Sequence, residues 1–176
     1  MIQIRNIEIA DIENYWQLRL QALKTSPEAF SASYEESILL SKEEVEQRHK
    51  NKTDNFILGA FTQDGHLIGM TGFLREQKIK LKHKGTIWGV YVASEYRGNG
   101  IAKALLTEVL NRGRVLDGLN QINLSVVSTN RAAAELYRSL GFETYGFEKN
   151  ALVVDDREYD EEYMVYTYVK EQEVQG

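Results

Sequence analysis

Apolar and polar residues alternate over positions 2–5 (Ile, Gln, Ile, Arg), a period of two that predicts a short strand. The period then lengthens. Ile12, Tyr15, Trp16, Leu18, Leu20 and Leu23 recur at helical spacing, and Asp11 stands where it can cap that helix. The only proline, Pro27, follows Ser26 and marks a turn or a new helix start. Ser41-Lys42-Glu43-Glu44 has the capping-box pattern, which predicts a second helix running to about Asn51.

Beyond that point the pattern changes. Phe56 to Thr62 and Leu67 to Leu74 read as paired strands joined by an Asp64-Gly65 turn. Residues 75–84 are polar and basic and read as an exposed connection. Thr86 to Val92 is rich in β-branched and aromatic residues and reads as a buried strand. Gly89 within it predicts a bulge or a close backbone approach. A helix follows with Ile101, Ala102, Leu105, Leu106, Val109 and Leu110 on its buried side. Next come a strand over Gln121 to Val127 and a short helix over Asn130 to Leu140, ended by Gly141. Two strands near 142–149 and 159–168 and a polar tail complete the chain. There is no repeat, low-complexity segment or linker. The order predicts one domain, residues 1–176, of α/β (α+β) class around a mixed sheet.

Composition narrows the function. At 176 residues, 43% hydrophobic and 27% charged, the chain has the make-up of a soluble globular domain. Its net charge is -5 and its Lys and Arg are scattered, so nucleic acid is not the expected partner. The acidic balance attracts cationic ligands weakly, and only at low salt. The absence of cysteine excludes disulfides, thiolate nucleophiles and Cys-based zinc sites. His49, His66 and His83 share no ligand spacing, so each is expected on the surface or a strand and no metal is expected. The first residues lack the pattern of a signal peptide, and no apolar run approaches the ~20 residues that span a membrane. A cytoplasmic location without membrane contact is the expectation.

The chemistry concentrates in Val90-Tyr91-Val92 and the loop Arg97-Gly98-Asn99-Gly100-Ile101-Ala102. A strand feeds a glycine loop, and the loop opens a helix whose first amides have no internal partner. Such an end suits a phosphate, and Arg97 can add a charge-assisted bond. By itself the loop equally fits a turn with a solvated arginine. It fits a Rossmann fingerprint poorly, because Lys103 stands where a third glycine or alanine belongs. It also lacks the Gly-Lys-Ser/Thr ending of a nucleotide-kinase loop. Downstream, Asn130 and Tyr137 are seven residues apart on one helix, nearly two turns, so they share a face. Taken singly, Asn130 also reads as an N-cap and Tyr137 as a core tyrosine.

Together these stretches resemble the GNAT-type N-acetyltransferase family. The family's Arg/Gln-x-x-Gly-x-Gly/Ala pattern is met at Arg97, Gly100 and Ala102. Its Asn-x-x-Ala…Leu-Tyr-x-x-x-Gly-Phe pattern is met at Asn130, Ala133, Leu136, Tyr137, Gly141 and Phe142. The resemblance covers about residues 55–147. It implies a single GNAT-like domain with a mixed, mostly antiparallel sheet, flanked by helices and splayed at the cofactor site. It implies acetyl-CoA as co-substrate and an amine, of a small molecule in the first instance, as acceptor. The backbone of Val90, Tyr91 and Val92 would pair with the pantetheine arm. The amides of Arg97, Gly98, Asn99, Gly100, Ile101 and Ala102 would hold the pyrophosphate. Asn130 would bind near the thioester, and Tyr137 would be the catalytic acid that protonates the departing thiolate.

Some relatives carry a glutamate base five residues before the motif asparagine, where this chain has Ser125. Glu35, Glu36, Asp155 and Asp156 lie in segments that flank the acceptor cleft in relatives, and each also reads as a solvated surface acid. Phe30, Tyr34 and Trp88 are either acceptor-pocket residues or core. Relatives are often monomers or dimers, and the resemblance implies a monomer or homodimer. A peptide-amine acetyltransferase, a non-catalytic acyl-CoA-binding module and a dinucleotide-binding protein are the competing readings.

Overall fold

A computed structural model describes residues 1–49 and 51–169; Lys50 and the polar tail at 170–176 lie outside these residues. Seven strands form one sheet: β1 (Gln3–Asn6), β2 (Asn55–Phe61), β3 (Leu67–Arg75), β4 (Lys84–Val92), β5 (Gln121–Val127), β6 (Glu143–Val154) and β7 (Arg157–Thr167). Their order is β1-β2-β3-β4-β5-β7-β6. Every neighbouring pair is antiparallel except β4 and β5. The expected mixed, mostly antiparallel sheet flanked by helices is what forms.

The helices cover both faces because strand residues alternate between them. On one face α1 (Ile12–Thr25), α2 (Tyr34–Ser37) and α3 (Lys42–Arg48) pack through Tyr15, Leu18, Leu23 and Val45 onto Ile57, Met70 and Tyr91. On the other, α4 (Ile101–Arg114) and α5 (Arg131–Ser139) pack through Leu105, Leu106, Val109 and Tyr137 onto Leu58, Ile87, Leu124 and Val126. Ala102, expected on the buried side of α4, is only half-buried.

Gly89 makes the expected bulge. Its φ is +64°, which a residue with a side chain tolerates poorly. Between Met70 and Gly72 on β3 there are two steps, but between their partners Tyr91 and Trp88 on β4 there are three. The extra residue resets the alternation. Ile87, Val90 and Val92 therefore belong to the α4/α5 face, and Trp88 and Tyr91 to the α1 face.

Four local expectations need correction. Asp11 occupies the N-cap position of α1, but its carboxylate makes no capping bond there. It instead accepts from both terminal nitrogens of Arg5 (2.6 and 2.9 Å) and from the Glu8 amide (2.9 Å). The capping box at Ser41 and Glu44 forms, yet α3 stops at Arg48. Asn51 acts outside the helix, donating to the Ile7 carbonyl (2.6 Å) and accepting from the Ile57 amide (3.1 Å). His49 is neither on the surface nor on a strand; it is buried against Tyr15, ring centroids 4.4 Å apart. Finally, β6 and β7 run farther than their apolar pattern. They meet at a two-residue turn where Asp155 (φ 48°) and Asp156 (φ 62°) are both left-handed, a geometry acidic residues tolerate. Among the described residues no helix is long and apolar enough to cross a membrane.

Candidate functional site

β4 and β5 pair in parallel only from Lys84 to Thr86, against Gln121 to Asn123. Past Thr86 the strands part, and a cleft of about 730 Å³ opens in the gap. Backbone groups of Ile87 to Val92 that point towards β5 thus have no strand partner, although they line a cavity. The bulge at Gly89 lies within this stretch, so the splay and the bulge occupy the same place in the fold.

At one end of the cleft stands the glycine loop. Gly98 (φ +79°) and Gly100 (φ +75°) are left-handed, and a Cβ at either would meet nothing within 4 Å. The glycines satisfy the backbone angles and leave open space beside it. Asn99 turns inward, its Nδ2 donating to the carbonyls of Tyr96 (3.0 Å) and Arg97 (3.2 Å). That bond ties carbonyls into the loop and leaves the amides free. Among the described residues the amides from Gly98 to Lys103 donate to no protein group, while that of Ala104 donates to Gly100 (3.0 Å). These amides crown the positive end of α4, a helix of 14 residues. Arg97 is anchored beside them by its Nε, which donates to the Val92 carbonyl (2.9 Å). Its guanidinium carbon lies 5.4 Å from the Tyr91 ring centroid. The arrangement suits a phosphate-bearing ligand.

On the α4/α5 side, Asn130 and Tyr137 both line the cleft. Asn130 is the N-cap of α5, its Oδ1 accepting from the Ala133 amide (3.2 Å). The cap uses the side-chain oxygen and leaves the Nδ2 donor for the cleft. Tyr137 is 6% exposed, packs edge-on against Phe142 and belongs to the core. Its hydroxyl makes no hydrogen bond to a described residue, and burial alone acts on it. Burial pushes its pKa up to about 12, so the phenol is protonated at neutral pH. Tyr137 is thus a core residue that also lines the cleft.

Ser125 lines the cleft from the opposite face of the sheet, as do Trp88 and the turn Pro27–Ala29 through Glu28 and Ala29. Phe30 and Tyr34 do not line it; Phe30 is buried in the α1-side core near Tyr91, and half-buried Tyr34 packs against that core with exposed Lys24 over its ring. Glu36 is held by Ser33 in the first turn of α2, Glu35 is exposed, and Asp155 and Asp156 form the β6–β7 turn. None of the four lines the cleft.

Two neighbouring side chains were not singled out by any sequence pattern. Arg19 stacks over Phe30 (4.8 Å) and Trp88 (5.7 Å), and its Nη1 is buried without a partner beside Gly89. Burial lowers its pKa. Glu161, on β7, lies diagonally across the ladder from Ser125 and directly opposite Glu148, and burial together with Glu148 raises its pKa. The signal for Glu161 is the β5–β7 pairing, which residue spacing cannot supply across 36 positions.

The Acetyltransferase (GNAT) family model matches residues 16–142. N-alpha-acetyltransferase 40 of Saccharomyces cerevisiae is 36% identical over 100 residues, 51% of this chain and 34% of that protein. The chain spans about a third of the length of the first curated relatives it matches. An acetyltransferase of the GNAT family from Streptococcus pneumoniae superposes with a TM-score of 0.84 at 23% identity, covering 96% of this chain and 100% of that one. A GNAT superfamily phosphinothricin acetyltransferase from Sinorhizobium meliloti, solved with acetyl-CoA, superposes with a TM-score of 0.81 at 21% identity, covering 94% and 88%.

Proposed function

The chain belongs to the acetyltransferase (GNAT) family, and from that premise we propose that it moves an acetyl group from acetyl-CoA to an amine. The observation that carries the reading is the cleft where β4 leaves β5, with unpaired loop amides at one end and a protonated Tyr137 in its wall. The amides of Gly98 and Gly100 to Ala102, with Arg97, would hold the pyrophosphate. Asn99 would serve by shaping that loop as well as by its own amide. The unpaired edge of Val90, Tyr91 and Val92 would bind the amide-rich pantetheine arm as a strand does. One of those amides would donate to the thioester oxygen as negative charge develops there.

In this account the neutral amine attacks the thioester carbon and the carbon–sulfur bond breaks. Tyr137 gives its proton to the departing thiolate. A thiol whose pKa is near ~8.5 needs only modest help to leave. Asn130 would use its free Nδ2 to hold the arm near the thioester. The acceptor would enter from the α1 face, past Trp88, Ser125 and Glu28. A small cationic amine is the first reading, in keeping with the acidic chain and a cytoplasmic setting. A peptide α-amine is the second, favoured by the name of the yeast relative.

The test is thiol release from acetyl-CoA, measured with spermidine, free amino acids, an aminoglycoside and peptides with free α-amines. Release that depends on one acceptor class supports the reading and names the class. Silence across the panel, with coenzyme A still raising the melting temperature, favours a non-catalytic acyl-CoA-binding module.

A further inference from the structure

Resting on the acetyl-transfer reading, we infer that Glu161 is the base that accepts the acceptor's proton, supplied by β7 at the place where Ser125 on β5 provides no carboxylate. Ser125 lies opposite Tyr163 in the β5–β7 ladder, and Val127 lies opposite Glu161. Residues directly opposite share a face, so Ser125, Tyr163 and Glu161 all project from the α1 side of the sheet. Ile122, Leu124 and Val126 point the other way, into the α4/α5 core. Glu161 is one diagonal step from Ser125 on the same face, within reach of a long side chain, and Ser125 lines the cleft. A carboxylate on the neighbouring strand thus stands beside the cleft wall at Ser125.

The groups around Glu161 suit the task. Glu148 faces it directly across the β6–β7 ladder, and the Tyr163 hydroxyl donates to Glu148. Glu28, on the turn that packs over β5 and β6, is an acid that lines the cleft on the same face. Neither Glu161 nor Glu148 forms an ion pair with a described residue. Two carboxylates without a cation attract an ammonium group. Half-burial and the charge of Glu148 raise the proton affinity of Glu161, which brings it closer to a useful base.

The proton balance closes. One N–H proton of the incoming ammonium passes to Glu161, directly or through the Ser125 hydroxyl, and from there to solvent. The freed lone pair forms the carbon–nitrogen bond, and the carbon–sulfur bond breaks. The second proton shed by nitrogen replaces the one that Tyr137 gives to sulfur. The products are the N-acetyl amine and the thiol of coenzyme A.

The experiment is the pH profile of kcat/KM for the full chain, for Glu161→Gln and for Glu161→Asp, with acetyl-CoA and either spermidine or a peptide bearing a free α-amine. The unaltered protein and Glu161→Asp should gain activity along a limb set by a carboxyl group. Glu161→Gln should be slower by about a hundredfold near neutral pH. It should recover as the pH approaches the amine's own pKa, about 10.4 for an alkylamine. Its KM for acetyl-CoA should not change. An unchanged rate, or a fall equal at every pH, overturns the role of Glu161 while leaving acetyl transfer intact. Absence of turnover by the unaltered protein with every acceptor overturns both.

Discussion

The Nε of Arg97 donates to the carbonyl of Val92 at 2.9 Å, so the end of β4 and the start of the glycine loop are joined by a side chain as well as by the backbone. Arg97 therefore positions the loop relative to the strand edge and presents its remaining nitrogens beside the unpaired amides. Arg97→Ala should weaken acetyl-CoA binding by roughly tenfold, the scale of one charge-assisted hydrogen bond. Titration calorimetry at two salt concentrations checks this. The difference between the proteins should shrink at high salt. Arg97→Lys should not restore full affinity, because a lysine lacks the planar fork that bonds two places at once.

Tyr137 offers a hydroxyl that bonds to nothing in the described protein and a ring that packs in the core. Tyr137→Phe keeps the ring. It should leave the melting temperature within a few degrees, since removal of an unpartnered hydroxyl costs little. Its kcat should fall by about a hundredfold if the phenol protonates the thiolate, with KM for acetyl-CoA nearly unchanged. Steady-state kinetics beside a thermal melt separate the two effects. Unchanged turnover would remove Tyr137 from the mechanism.

Gly100 caps α4 in the left-handed region, with open space where a Cβ would stand. Gly100→Ala should cost about 1 kcal/mol in stability from backbone strain alone. Its larger effect should be on ligand binding, because the methyl group would occupy the space beside the loop amides. A urea titration without ligand, set against KM for acetyl-CoA, tests the division.

The reading of the sequence reached farthest where local spacing carries the structure. The capping box at Ser41, the strand at Gln121–Val127, the bulge at Gly89 and the helix after Asn130 follow from neighbours in sequence. The family resemblance predicts the splay, and the short β4–β5 pairing shows it. Two kinds of feature were hidden. Asp11 is the first: its spacing says helix cap, but Arg5 on the adjacent strand competes for the carboxylate with two charge-assisted bonds. Glu161 is the second. Its place beside Ser125 depends on β7 inserting between β5 and β6, a non-local pairing with no trace in the local pattern. Local spacing likewise leaves pocket and core equally open for Phe30 and Tyr34, and the packing of α1 decides for the core side.

The Arg5–Asp11 pair makes a pH prediction. Its hydrogen bonds to Arg5 hold the Asp11 carboxyl below its ordinary 3.8. A depressed carboxyl stabilises the fold above its unfolded pKa, and that contribution fades as pH falls through the lower folded value. Asp11→Asn should therefore be less stable by about 1 kcal/mol at neutral pH, a partly exposed pair being screened by solvent. The gap should close below about pH 4, where Asp11 is protonated in the unfolded chain and then in the folded one. Urea melts at pH 7 and pH 3 measure it.

A mole-for-mole account of products tests acetyl transfer most directly. The protein is incubated with acetyl-CoA and its best acceptor from the amine panel, and free coenzyme A and N-acetylated amine are quantified together by mass spectrometry. The two should rise in equal amounts, and both should slow in Tyr137→Phe. Coenzyme A released without matching acetylated amine, or binding of acetyl-CoA with neither product, would contradict acetyl transfer.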